Sequence, residues 1–259
     1  MKKVALLLAV AFTVLACKDV DENEVVKTDY DVQFNFTQNW DGQEINNADY
    51  QTTEYTNDKG DVLTISKLNY LISNVTFTSE GGQNIVIDGY NVMNAREGVN
   101  VQYNLDQKIP EGDYTVSFTF GFNDEDNVDG IYPELNTQPW DWGVPMMLGG
   151  GYHFMRLEGM YTDNTDTQSP YLYHAIRAAT NIGDNPVTED TSFEVNLGTI
   201  SINNDTSIEV KMNVAEWFKN PNQWDLNVWN INLMMNAEAQ RAMSANGKSV
   251  FSLGTVEEQ

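Results

Sequence analysis

The chain has 259 residues, with 14 Lys and Arg against 38 Asp and Glu, a formal charge of −24, and 41% hydrophobic and 11% aromatic residues. That apolar share is enough to build a core and argues against wholesale disorder. The acidity argues against nucleic-acid binding, which needs a basic face to displace counterions from phosphate, and against a polybasic dock on anionic lipid.

Lys2 and Lys3 precede an apolar run from Val4 to Leu15. A spanning helix needs about 20 apolar residues, so this shorter run reads as a signal-peptide core, with the signal peptide occupying residues 1–16. It ends in Val14-Leu15-Ala16-Cys17, which resembles a bacterial lipobox, where the Cys is acylated and becomes the first mature residue. Cys17 is the only Cys, so no disulfide partner exists and lipidation gives the thiol a use. Loss of Lys2 and Lys3 leaves 12 basic against 38 acidic residues, a formal charge of −26. Lys18-Asp19-Val20-Asp21-Glu22 resembles the surface-export signal of Bacteroidetes lipoproteins. Residues 17–29 therefore read as a lipidated Cys with an acidic tether, and 30–259 as a single domain. The expected location is the outer membrane, held by the lipid anchor, with the cell surface favoured over the periplasmic side.

Period-two runs dominate the body. Asp31 to Thr37 alternates, as do Leu68–Thr78, Ile85–Ile87, Gly151–Tyr161, Thr191–Leu197 and Ile208–Asn213. In Asp113 to Gly121, Tyr114, Val116, Phe118 and Phe120 point one way and the threonines and Ser117 the other, the signature of a half-buried antiparallel strand. Turn residues separate these runs, at Asn57-Asp58-Lys59-Gly60, Glu80-Gly81-Gly82, Pro110-Glu111-Gly112-Asp113 and Asn203-Asn204-Asp205. Helical signal is limited to a turn or two at Val214–Lys219 and a segment Ala237–Asn246, capped by Asn236 and ended by Gly247. Together these predict an all-β fold, an antiparallel β-sandwich with one or two short helices near the C-terminus.

Gly121–Gly151 is the longest stretch without periodicity, and such loops are usually functional or disordered. It begins with an acidic cluster. Asp124, Asp126 and Asp129 offer carboxylates to Ca²⁺, although the spacing misses an EF-hand by one residue and Leu135 stands where its last Glu belongs. It continues through Trp140, Trp142, Met146 and Met147 and three glycines to His153, one of only two histidines. As a strand, Gly151–Tyr161 would put His153, Met155 and Leu157 on one face, and Tyr152, Phe154, Arg156 and Glu158 on the other. Arg156 and Glu158 then read as a same-face ion pair. Tyr171–Ala178, after the polar turn Thr162–Ser169, would return as the neighbouring strand and bring His174 near His153. Imidazole with thioether suits copper, Cu(I) especially, better than Ca²⁺ or Mg²⁺.

Leu68-Asn69-Tyr70-Leu71-Ile72-Ser73-Asn74-Val75, Ile109-Pro110-Glu111-Gly112-Asp113-Tyr114, Gly151-Tyr152-His153-Phe154-Met155-Arg156-Leu157-Glu158-Gly159 and the tail from Asn236 to Phe251 resemble, in order and spacing, the MbnP-like family of methanobactin-binding periplasmic proteins. The resemblance spans most of Val32–Val256. It implies an exported β-sandwich and, for some members, copper held through histidines, with a tryptophan oxidised to kynurenine joining the site in some relatives. Trp140 and Trp142 are the positions to inspect for that. Two histidines are few for a tight site, so further ligands must come from Met155, Met146, Met147, Met234, Met235, a modified Trp, a carboxylate or water.

The reading is thus a lipoprotein that binds copper, as the ion or a chelate, through His153, His174 and Met155, with an outer-membrane transporter as a partner. Catalysis is not expected: no Gly-x-Ser-x-Gly occurs, and the abundance of carboxylates makes any glycosidase-like pair uninformative. The rival is a surface glycan-binding lipoprotein using exposed indoles among Trp40, Trp140, Trp142, Trp217, Trp224 and Trp229. Exposed, coplanar indoles favour sugar; buried ones around a His/His/Met cluster favour metal.

Overall fold

The computed structural model describes residues 27–137 and 141–259. Cys17, the signal segment, most of the tether and Trp140 lie outside the described residues.

Nine principal strands form the body: β1 Val32–Trp40, β2 Val62–Ser79, β3 Asn84–Asn94, β4 Gly112–Phe120, β5 Met155–Thr162, β6 Gln168–Ala175, β7 Phe193–Ile202, β8 Thr206–Asn213 and β9 Phe251–Glu258. One sheet runs β6-β5-β2-β4-β7, with β3 and the short strand Tyr55–Thr56 also paired to β2. The other runs β9-β8-β1 and is extended by the short strands Gln43–Glu44 and Gln102–Asn104. Pairing is antiparallel throughout both sheets except between β8 and β1.

The alternation in sequence becomes the sandwich. Every second residue of β1 is buried, from Val32 to Trp40, and in β4 the buried set is Tyr114, Val116, Phe118 and Phe120. Each fully buried Phe or Val side chain contributes about 1.5–3 kcal/mol relative to exposure. The two inner rows meet through aromatic contacts. Phe36 of β1 lies 6.1 Å from Phe118 of β4 and 6.2 Å from Tyr70 of β2, and Phe251 of β9 lies 5.4 Å from Phe118. The fold is the expected all-β sandwich. Its single α-helix among the described residues, α1 Ala237–Gly247, is capped as expected: the Asn236 side chain accepts from the Glu238 and Ala239 backbone N–H groups. Val214–Phe218 forms a 3₁₀ turn.

One boundary differs from expectation in a way that matters. The strand predicted from Gly151 starts only at Met155. Gly149, Gly150 and Gly151 all have φ in the left-handed region, and a Cβ on Gly151 would meet the Asn127 Oδ1 at 2.5 Å. The chain therefore arrives on a curl that only glycine can follow. It bends again at Phe154, so Phe154 and Met155 both join the main core and strict alternation fails just there.

Candidate metal centre

The β5–β6 hairpin builds the centre. Its register pairs Met155 with Ala175, Arg156 with His174, Leu157 with Tyr173 and Glu158 with Leu172. Directly paired residues share a face. Met155, Leu157, Tyr173 and Ala175 form the buried inner row, and Arg156, Glu158, Leu172 and His174 stand on the opposite face. α1 and the 3₁₀ turn Leu233–Met235 both contact β6, and α1 also packs on the Val214–Phe218 turn.

His153 precedes the hairpin and reaches this outer side. Its ring centroid lies 5.4 Å from that of His174, the planes at 79°. His153 is 2% exposed. Its backbone N–H and its Nδ1 both approach the Trp142 carbonyl, at 3.0 and 2.8 Å. A carbonyl only accepts, so Nδ1 carries the proton and Nε2 presents its lone pair. Burial, and next the Arg156 guanidinium, push this imidazole down to about 3, so it is neutral at ordinary pH.

His174 is fixed the other way round. Its Nε2 lies 2.9 Å from the Glu158 Oε1. Burial alone would raise Glu158, but hydrogen bonds from His174 and Lys67 outweigh it and hold the carboxyl at about 2. An ionised carboxylate only accepts, so Nε2 carries the hydrogen and Nδ1 is the remaining donor nitrogen, with no hydrogen-bond partner among the described residues. Lys67 Nζ lies 3.0 Å from the second Glu158 oxygen. The pair expected between Arg156 and Glu158 is therefore replaced. Arg156 instead donates to the Asp141 carbonyl and lies 5.9 Å from the centroid of the Trp142 ring.

The sulfur in this centre is not the one that alternation suggested. Met155 is fully buried on the inner face, in the main core. The thioether beside the histidines belongs to Met234, whose Sδ lies 3.1 Å from the His153 Nε2. The turn that carries Met234 is tied down by Gln240 of α1, a residue 1% exposed. The Gln240 Nε2 donates to the His174 and Leu233 carbonyls, and its Oε1 accepts from the Ile176 N–H. One amide thus ties helix, 3₁₀ turn and strand end together. In the sequence Gln240 looks like an ordinary helix residue. A cavity of about 240 Å³ opens here, lined by Met147, Leu172, His174, Leu233, Met234 and Met235 among others. A larger groove along Thr37, Asn39, Glu209 and Lys211, about 350 Å³, carries neither imidazole nor sulfur.

The other candidates are dispersed. Met146 is 66% exposed and Met147 48% exposed, the latter at the rim of the cavity. Trp142 is buried edge-on to His153, ring centroids 6.3 Å apart. Asp124 is engaged by Arg177 at 2.9 Å, and Asp126 accepts from Asn74. Among the described residues no group of three or more His, Cys, Asp or Glu gathers as a metal cage. Asp124 and Asp126 are thus each engaged within the protein, by an ion pair and by a hydrogen bond. Nor do the described indoles form a platform: Trp40, Trp142, Trp217 and Trp224 are buried, and Trp229 is half-buried with its ring 4.8 Å from Trp224.

The donor set fits copper. Two imidazole nitrogens and a thioether are soft to borderline ligands, and each imidazole has its other N–H held by an oxygen, as metal-binding histidines almost always do. Among the described residues no helix is long and apolar enough to cross a membrane.

The MbnP family model matches residues 29–236. A solved structure, MbnP from Methylosinus trichosporium, superposes with a TM-score of 0.56 at 13% identity, covering 88% of this chain and 99% of that one. None of the curated proteins matches the sequence.

Proposed function

This chain belongs to the MbnP family, and on that premise we propose that it binds a copper ion through the His153 Nε2 and the His174 Nδ1. The observation that carries the reading is the complementary locking of the two rings. Trp142 takes the Nδ1 hydrogen of one and Glu158 the Nε2 hydrogen of the other, which leaves one lone pair on each of two neighbouring imidazoles. A buried imidazole that already faces a carbonyl is oriented before any metal arrives, so little ordering opposes binding. The cargo enters as the free ion or as a chelate released at the apolar mouth.

The role is binding and delivery, without turnover. Acylated Cys17 and the acidic tether keep the domain at the outer membrane, on its surface side, where an outer-membrane transporter is the receiving or supplying partner. The strong negative charge attracts cations in a salt-screened way and leaves selection to the site itself.

The test is metal analysis and copper titration of the protein released from its anchor. One copper per chain is expected, lost in His153→Ala and in His174→Ala. Copper loading that both variants retain would contradict the reading.

A further inference from the structure

The contact between the His153 Nε2 and the Met234 Sδ, at 3.1 Å, has no hydrogen to explain it. Nδ1 holds the ring's hydrogen against the Trp142 carbonyl, so Nε2 and the sulfur face each other as two lone-pair donors. Donors held that close, one of them on a fully buried ring, are arranged for a shared cation. Copper in either oxidation state accepts imidazole, but a thioether discriminates between them: it is a soft ligand and favours Cu(I).

Resting on the copper reading above, we propose that Met234 is a third ligand and that it makes this a Cu(I) site. The placement of Met234 supports this. Gln240 donates to the Leu233 carbonyl next to it and to the His174 carbonyl, which ties the backbone that carries Met234 to the strand that carries His174. The walls point the same way. Leu172, Leu233, Met147 and Met235 surround the mouth with apolar carbon and further thioethers, and the nearest carboxylate, Glu158, is already occupied by His174 and Lys67. Asn232 also lines the cavity, so the thioether itself, not a lack of oxygen, is what favours Cu(I) over a harder ion. Neither Met146, which is mostly exposed, nor Met155, which is in the core, is placed to substitute.

The test compares the wild type with Met234→Leu and Met160→Leu, swaps that keep volume and apolarity. Cu(I) is supplied from its bicinchoninate complex, Cu(II) from a glycine buffer, and copper X-ray absorption is recorded on the loaded proteins. In Met234→Leu we expect Cu(I) affinity to fall by about tenfold or more while Cu(II) affinity stays within about twofold, because only the thioether is lost. The copper–sulfur scattering should vanish with it. Met160→Leu, an exposed sulfur on β5 outside the cavity, should match wild type in all three readouts. Wild-type Cu(I) binding that Met234→Leu leaves unchanged, or a loss that is equal for both oxidation states, overturns the thioether assignment while leaving the histidine reading intact. A wild type that binds neither form overturns both.

Discussion

The two faces of the β5–β6 hairpin carry the same kinds of residue to opposite ends. On the inner face Met155 lies among Leu157, Tyr171 and Tyr173, each at most 1% exposed, and its sulfur is one more packing atom. On the outer face Glu158 holds His174, and His153 meets Met234, delivered from a turn more than fifty residues away. Polar groups on the inner face would lie against the sandwich core, where unpartnered burial is costly. On the outer face Glu158 and His174 satisfy one another, and Lys67 takes the second carboxylate oxygen. A methionine's role is thus set by which side of a strand it meets, more than by its distance in sequence from a histidine.

Substitutions on the two faces should separate cleanly. His174→Ala should weaken copper binding by more than the about 10–100-fold typical of an outer partner of a ligand, with little change in the unfolding transition. Met155→Ala should do the reverse: about 2–5 kcal/mol less stability in urea denaturation, from lost burial and the cavity left behind, with copper affinity of the folded protein retained. A copper defect in Met155→Ala at temperatures where it is folded would break the contrast. Glu158→Gln should lower copper affinity by about 10–100-fold in chelator competition, because the neutral amide no longer fixes the His174 tautomer.

The smallest effect is a pH slope. His153 titrates near 6.5 when unfolded and at about 3 when folded, so between those values the unfolded chain binds the extra proton. Stability of the metal-free protein should fall as pH drops from about 6.5, by at most about 1.4 kcal/mol per pH unit from this one group. Glu158, held at about 2, adds to the loss only once pH falls below its ordinary range near 4.5. Urea midpoints at pH 5 and 6 should therefore differ less in His153→Gln than in wild type. Equal slopes would show that the ring is not buried in its neutral form.

Much of this was legible beforehand. Alternation in Tyr114–Phe120 marked a half-buried strand, Asn236 marked the helix start, and the polar turn after Tyr161 marked the hairpin that joins the histidines. The quoted segments resembled the family whose model matches the chain. Local pattern failed where the backbone leaves regular geometry. Three left-handed glycines and a bend at Phe154 break the period at His153, so counting by twos put Met155 beside it. Met234 and Gln240 were not legible as a pair with His174 because long-range packing joins them, and no spacing rule carries that. The acidic loop suggested calcium through composition, and no spacing rule shows that Arg177, distant in sequence, pairs with Asp124.

The most direct measurement is an imidazole ¹⁵N spectrum of the protein titrated with Cu(I), which is diamagnetic. The account expects one equivalent of metal to shift two nitrogens, Nε2 of His153 and Nδ1 of His174, while their proton-bearing partners keep their character. Shifts confined to one ring, or to the opposite nitrogens, would contradict it.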